Sequence, residues 1–353
     1  MCIRDRFITV KDLVAQLKND LIGKDSYRGV TLTYSWLANQ FGHFSLGFIP
    51  TIIIYNILKA KTTVSQPELW AAFGVWGAWI LFELFNFLWP LLFKTESKRK
   101  ALGTGKYIFQ PAWLNVTFDT ITDLVYFGIG ALAASLICEF HPGMLIGLIV
   151  LILLVTYPFY YWYSTKMFIQ NADYPFQLRL SQWNQQIKED NKELILDFLK
   201  HSEPGKHMLL FGSRGSGKTT LSVGIATESS IKNNSCSYVT AVKLLCLFFE
   251  NEDNPPITKP GAWSWRNSSL LVIDDINPGG QVQGDILSAK QFYTILNNLT
   301  CGELNRKTIK EKSIIWVMGN EDPDKHSEER WETLLENIGV EKSNITIVNL
   351  DAI

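Results

Sequence analysis

No two cysteines in the chain have the C-x-x-C spacing. The five cysteines, Cys2, Cys138, Cys236, Cys246 and Cys301, are odd in number and scattered, which argues against a disulfide framework or a thiolate zinc site. The five histidines show no ligand spacing either. A reducing, cytosolic setting for the polar part of the chain is the simpler view. Excess charge is also missing: the formal net charge is −1 over 353 residues, so no global basic field points to nucleic acid. Met1–Arg6, MCIRDR, has no signal-peptide layout. It reads as translated adapter sequence without bearing on the fold, which would leave the natural N-terminus outside the sequence.

Long apolar runs are present, and they fill the first half. Ser35–Leu58, Leu69–Phe93, Phe118–Phe140 and Met144–Tyr163 each reach the roughly 20 residues that cross a bilayer core. Trp70, Trp89, Trp162 and Tyr163 fall near run ends, where amphipathic rings suit the interface. Lys94, Lys98, Arg99, Lys100 and Lys106 lie between runs two and three; only Lys59 and Lys61 lie between one and two, and none between three and four. The positive-inside bias therefore puts the middle loop and both termini in the cytoplasm, and the chain in the cell (inner) membrane. Before the runs, Thr9–Ile22 reads as a short amphipathic helix that lies on the membrane or, more simply, packs on the soluble domain.

Polar groups interrupt these runs: Asn39, Gln40 and His43, Glu83 and Asn86, Asp119 and Asp123. Such groups are costly inside a bilayer and face a bundle interior or water. They read either as a proton or ion path or as interhelical hydrogen-bond glue. Gly128, Gly130, Ala131, Ala133 and Ala134 permit close helix approach in the third run.

The second half is organised around Met208–Leu221, MLLFGSRGSGKTTL. An apolar strand ends at Gly212, a Gly-rich loop follows, and Lys218, Thr219 and Thr220 open a helix. The frame Gly212-x-x-x-x-Gly217-Lys218-Thr219 fits the phosphate-binding P-loop in full. Glycine lets the loop turn tightly and aim backbone N–H groups inward. The helix N-terminus adds partial positive charge where phosphate sits. Gly212, Ser213, Arg214, Gly215, Ser216, Gly217, Lys218, Thr219 and Thr220 are thus the candidate ATP cradle. Lys218 reaches the β/γ-phosphates and the Thr219 hydroxyl is placed to ligate Mg2+.

Further strands are expected over Ser237–Ala241, Ser269–Asp274, Ser313–Met318 and Ile345–Leu350, with helices between, for example Ala289–Leu299. Short apolar strands alternating with helices imply a parallel sheet covered on both faces, with ligands at the carboxyl ends of the strands. Leu270–Asp275, LLVIDD, follows the P-loop by some 50 to 60 residues, and Asp274 at its tip is the candidate Mg2+ acid. Upstream, Ser181–Lys200 reads as a charged amphipathic helix. Pro260–Asn267, PGAWSWRN, reads either as a loop exposing Trp263, Trp265 and Arg266 to a base or partner, or as a hydrophobic clasp over the sheet edge.

GSRGSGKTTL, LLVIDDI and IIWVMGNEDPD together resemble the AAA+ ATPases, especially their helicase-loader, initiator and transposition-helper branch. The resemblance covers Glu193–Leu350 and omits the apolar runs. It implies that Asp275 stands where the family carries the glutamate that polarises water, one methylene shorter here. It also implies that Asn320 is the polar sensor orienting that water, and that Arg330 is an arginine finger offered to a neighbouring subunit, with Arg306 competing for the role. The family's helical lid has no counterpart after the last strand, which leaves a lidless variant or a truncated sequence. No Asn-Lys-x-Asp occurs, so GTP is disfavoured.

The expected architecture is an α-helical transmembrane bundle of four spans followed by an α/β parallel-sheet P-loop NTPase domain without a C-terminal lid. Its parts are an N-terminal amphipathic helix (7–33), the membrane domain (34–165), a linker helix (166–192) and the ATPase domain (193–353). The expected function is a membrane-anchored protein that binds ATP and Mg2+ and hydrolyses ATP to drive or switch a partner. Its expected partners are the lipid bilayer, an unidentified protein or nucleic acid and, if Arg330 is a finger, further copies in a homo-oligomer. Two other readings stand beside it: a nucleotide-gated conduit or sensor through His43, Glu83 and Asp123, and a membrane-tethered adaptor gripping DNA or protein through Trp265 and Arg266.

Overall fold

The computed structural model describes residues 8–22, 30–92, 108–200, 203–249, 263–276, 287–298, 300–319 and 326–351. The chain divides into two compact units, one over Val10–Lys166 and one made of Met167–Ile353 together with Met1–Thr9.

The first unit holds α1 (Val10–Ile22), α2 (Leu32–Lys61), α3 (Pro67–Leu92), α4 (Trp113–Cys138) and most of α5 (Pro142–Asn171). The last four are long and apolar enough to cross a membrane. They turn many large apolar side chains outward, Ile53, Phe85, Ile146 and Leu153 among them. That is the reverse of a water-soluble bundle, in which such a patch would be a liability. α2 starts at the Thr31 cap, whose hydroxyl accepts from the Tyr34 N–H at 3.1 Å.

α2 and α4 cross very closely because glycine stands at both contact points. A Cβ on Gly47 would meet the Phe127 carbonyl oxygen at 2.1 Å, and one on Gly130 would meet that of Phe44 at 2.0 Å. α3 closes the third side. Trp76 packs over Gly128 and donates its indole N–H to Leu124 O at 2.9 Å. Pro50 inside α2 removes the N–H that would bond the carbonyl four residues earlier, that of Leu46. The Trp79 indole of α3 donates to this same oxygen at 3.0 Å, so the freed acceptor is satisfied between helices.

α1 falls within the bundle's unit and not with the soluble domain expected to receive it. Leu13 is its buried anchor, and the Asp20 carboxylate accepts from Tyr163 at 2.6 Å and from Thr31 at 3.0 Å. Val10, Val14 and Leu21 of the same helix are exposed.

The second unit is a five-stranded, wholly parallel sheet: β1 (His207–Phe211), β2 (Cys236–Thr240), β3 (Leu270–Asp274), β4 (Ser313–Val317) and β5 (Ile345–Asn349), in the order β2-β3-β4-β1-β5. β1, β3 and β4 are buried at every position, as their uninterrupted apolar runs require. Helices α6 (Glu189–Lys200), α7 (Lys218–Ile231), α8 (Ala241–Leu247), α9 (Ala289–Asn298), α10 (Gly302–Glu311) and α11 (Ser327–Ile338) connect or flank the strands. Phe248, Trp265, Phe292, Trp316 and Trp331 form one continuous aromatic cluster in the core, with ring centroids 5.5–5.9 Å apart.

The helix expected over Ser181–Lys200 begins instead at Glu189. Leu180–Gln182 is a single 3-10 turn, and Trp183 is buried. Trp183 and Ile187 satisfy helical spacing in the sequence, but tertiary contact with α7 holds this stretch extended. Arg179 pairs with Glu228 of α7 at 2.7 Å, and Leu180 lies on Gly224.

Candidate nucleotide site

The carboxyl ends of four neighbouring strands are tied at one edge. Ile276 N–H donates to Val317 O at 3.4 Å, Met318 N–H to Leu210 O at 3.0 Å, and Leu350 N–H to Phe211 O at 2.9 Å. β4 separates β1 from β3, so the loop after β1 and the acids after β3 lie two strand spacings apart, about 10 Å.

The loop between β1 and α7 has the backbone that its glycines allow. Gly215 and Gly217 have φ of +87° and +84°, the left-handed region. Gly212 is required for another reason: a Cβ there would meet Ser216 Oγ at 2.5 Å. The Lys218 ammonium turns back over the loop and donates to Gly212 O and Ser213 O, each at 2.7 Å. Ser216 Oγ is buried with no hydrogen-bond partner. Ser213 Oγ bonds Asp351 at 2.9 Å, Arg214 is exposed, Thr219 is half-buried in the first turn of α7, and Thr220 Oγ1 donates to Gly217 O at 2.8 Å.

Asp274 is buried at the tip of β3. Its Oδ2 accepts from the Tyr238 hydroxyl of β2 at 2.7 Å and its Oδ1 from the Asp275 backbone N–H at 2.8 Å. Burial, and then the adjoining Asp274 carboxylate, raise the Tyr238 phenol above its ordinary value. Asp275 has φ of +55°, which a non-glycine residue adopts at some strain. Burial and the neighbouring Asp274 raise its pKa.

These residues fit a nucleotide with its metal: a left-handed glycine loop, an ammonium at its mouth, an orphaned hydroxyl inside it, and a buried carboxylate across the sheet edge. Asn320 lies outside the described residues. Arg330 is exposed on α11, with its backbone N–H bonded to His326 O. Arg306 is held within the α9–α10 pair by Asn297.

Two features were not anticipated. Tyr238 reads in sequence as one more strand aromatic, and only the β2–β3 register places it beside Asp274. Trp183 donates its indole N–H to Gly217 O at 3.0 Å, and a Cβ on Gly217 would meet Trp183 and Gln185 at about 3 Å. The stretch before α6 is therefore part of the loop's surroundings, and no local motif signals it.

The reading of an exposed aromatic loop is corrected. Trp263 and Trp265 are 3% and 1% exposed. Trp263 donates to Phe168 O at 3.4 Å, and Trp265 packs against Phe248. Arg266 lies over the Trp265 ring at 4.7 Å and bonds Asn305 at 2.7 Å. Two core positions and a cation cover account for Trp263–Arg266 as a clasp, and the adaptor reading built on Trp265 and Arg266 loses its surface; residues 260–262 lie outside the described residues.

Residues 22–144 match a family described as predicted membrane protein (DUF2238). No curated protein matches the chain. Among solved structures, the DnaC helicase loader is 20% identical, with 48% of this chain and 96% of that one covered and a TM-score of 0.32. DnaI is 18% identical, with 49% and 88% covered and a TM-score of 0.31.

Proposed function

We propose that the chain is a membrane-anchored ATPase: a four-span bundle fixes a nucleotide domain to the cytoplasmic side, and ATP turnover there drives or switches a partner. The observation that carries the reading is the loop Gly212–Thr219, glycine-built, with Lys218 at its mouth and the buried Asp274 two strands away. Lys218 would leave the loop carbonyls for the β/γ-phosphates, and the loop N–H groups and the α7 N-terminus would hold the same oxygens. Thr219 and Asp274 would hold Mg2+, which when bound neutralises charge on the transferred phosphoryl group. Asp275 and Asn320 would orient water, and the raised Asp275 pKa suits a group that takes up a proton. Arg330, exposed on α11, would reach a neighbouring copy if the active form is a homo-oligomer.

The lysines between α3 and α4 support a cytoplasmic face for that loop and for the nucleotide domain. Phosphate release by the full chain in nanodiscs tests the reading. Asp275→Asn is expected to abolish turnover and leave ATP binding intact; turnover equal to the parent's would remove Asp275 from the catalytic set.

A further inference from the structure

The α2–α4 crossing brings together polar groups that do not satisfy one another. His43 Nε2 lies 3.4 Å from Asp123 Oδ1 and 3.0 Å from the Asn39 amide nitrogen. Gln40 is 1% exposed and its side chain acts on Asp123, but neither of its amide atoms reaches a partner with full hydrogen-bond geometry. Nor do His43 Nδ1 and Asp123 Oδ1, all of them buried. Phe127 covers the imidazole edge-on at 4.8 Å.

We propose that His43, Asp123 and Gln40 form a proton-binding site in the bundle, which takes up one proton between the imidazole and the carboxylate. The proposal rests on the reading of α2 and α4 as membrane spans. Where Asn39 donates to Nε2, that nitrogen presents no proton to Asp123, and two acceptors face each other at 3.4 Å. One added proton turns the imidazole into a donor on both nitrogens: Nε2–H then meets Asp123. Plain interhelical glue would pair these atoms already. No group of three His, Cys, Asp or Glu side chains suited to a metal occurs among the described residues.

The surroundings favour arriving positive charge. Asp119, one turn nearer the start of α4, is exposed, and it and Glu83 of α3 both act on Asp123. Tyr126 of α4 also feels the Asp123 charge. From α5, Tyr157 and Tyr161 face Phe118, next to Asp119. His43 and Asp123 each lie about ten residues into their helices, roughly 15 Å from the helix starts, so the two sit at matched depth. The proton would come from water on the Asp119 side.

The test is 15N NMR of the full chain, labelled at histidine and held in nanodiscs, across a pH series. The His43 imidazolium signal, assigned by its loss in His43→Gln, should grow as pH falls, persist in Glu83→Gln, and shift its midpoint down by a unit or more in Asp123→Asn. No imidazolium signal from His43 at any pH, or an unmoved midpoint in Asp123→Asn, overturns the proposal. If Asp123→Asn fails to insert, the appearance of the His43 imidazolium in the parent chain decides alone. Failure of the parent chain to enter nanodiscs would refute the membrane reading, whereas entry without titration refutes the site only.

Discussion

His207 shows what burial does to a single ionisable side chain. It sits in the middle of the sheet on β1, fully buried, with Nδ1 accepting from the Trp316 indole at 3.1 Å. Burial pushes its pKa down to about 3, although the Lys310 and Ile309 carbonyls pull the other way. Below about pH 6.5 the unfolded chain binds this proton and the folded chain does not. Stability from the neutral ring is thus complete above that pH and is lost as pH falls towards 3, by up to about 1.4 kcal/mol per pH unit. His207→Gln should remove that part of the acid sensitivity, read from amide exchange of β1 and β4 across the pH range; an unchanged slope would contradict the burial argument. The candidate site divides along similar lines. Gly212 to Thr219 is legible in sequence because a P-loop is a local backbone requirement. Tyr238 is not, because its meeting with Asp274 depends on a strand pairing 36 residues away in the chain. Trp263 and Trp265 mislead in the opposite sense: a tryptophan pair in a Pro- and Gly-flanked stretch looks exposed until the core that receives it is known.

At the scale of elements, the α2–α4 contact is set by two glycines. Adding a methyl at Gly130 forces the helices apart against the Phe44 carbonyl, an overpacking expected to cost about 1–3 kcal/mol. Gly42, on the same helix pair, has nothing within 4 Å of the added carbon. Gly130→Ala should therefore lower the unfolding midpoint of the bundle in detergent and Gly42→Ala should not; equal effects would mean the close crossing is absent. The stretch 179–183 is the second such element. Arg179→Ala breaks its pairing with Glu228 and should raise amide exchange at Leu180–Trp183 and at Gly217, where the Trp183 indole is bonded. Apolar runs and buried strands are readable because each is a continuous apolar segment, about 20 residues long in the spans and about five in the strands. The 3-10 turn at Leu180 is not, because its sequence satisfies helical spacing and only the α7 surface holds it otherwise.

For the whole molecule, the central division into an apolar half and a sheet half was visible in composition alone, and the fold keeps it: Val10–Lys166 forms one unit and the sheet another. Sidedness is the first property at this scale to test. A maleimide that does not cross membranes should label Ser65→Cys, placed in the α2–α3 connection, in intact cells. It should reach the exposed Cys246 of the sheet unit only after permeabilisation; the reverse pattern would invert the proposed topology. The claim on which the functional account stands is narrower, that triphosphate and magnesium are held by the Gly212–Thr219 loop. Equilibrium binding of ATP with Mg2+ to the full chain in nanodiscs, by titration calorimetry, tests it most directly. The account predicts binding by the parent chain and a roughly 10- to 100-fold weaker affinity in Lys218→Ala, the worth of charge-assisted hydrogen bonds to phosphate. Equal affinity in the two proteins, or no binding by either, would contradict it.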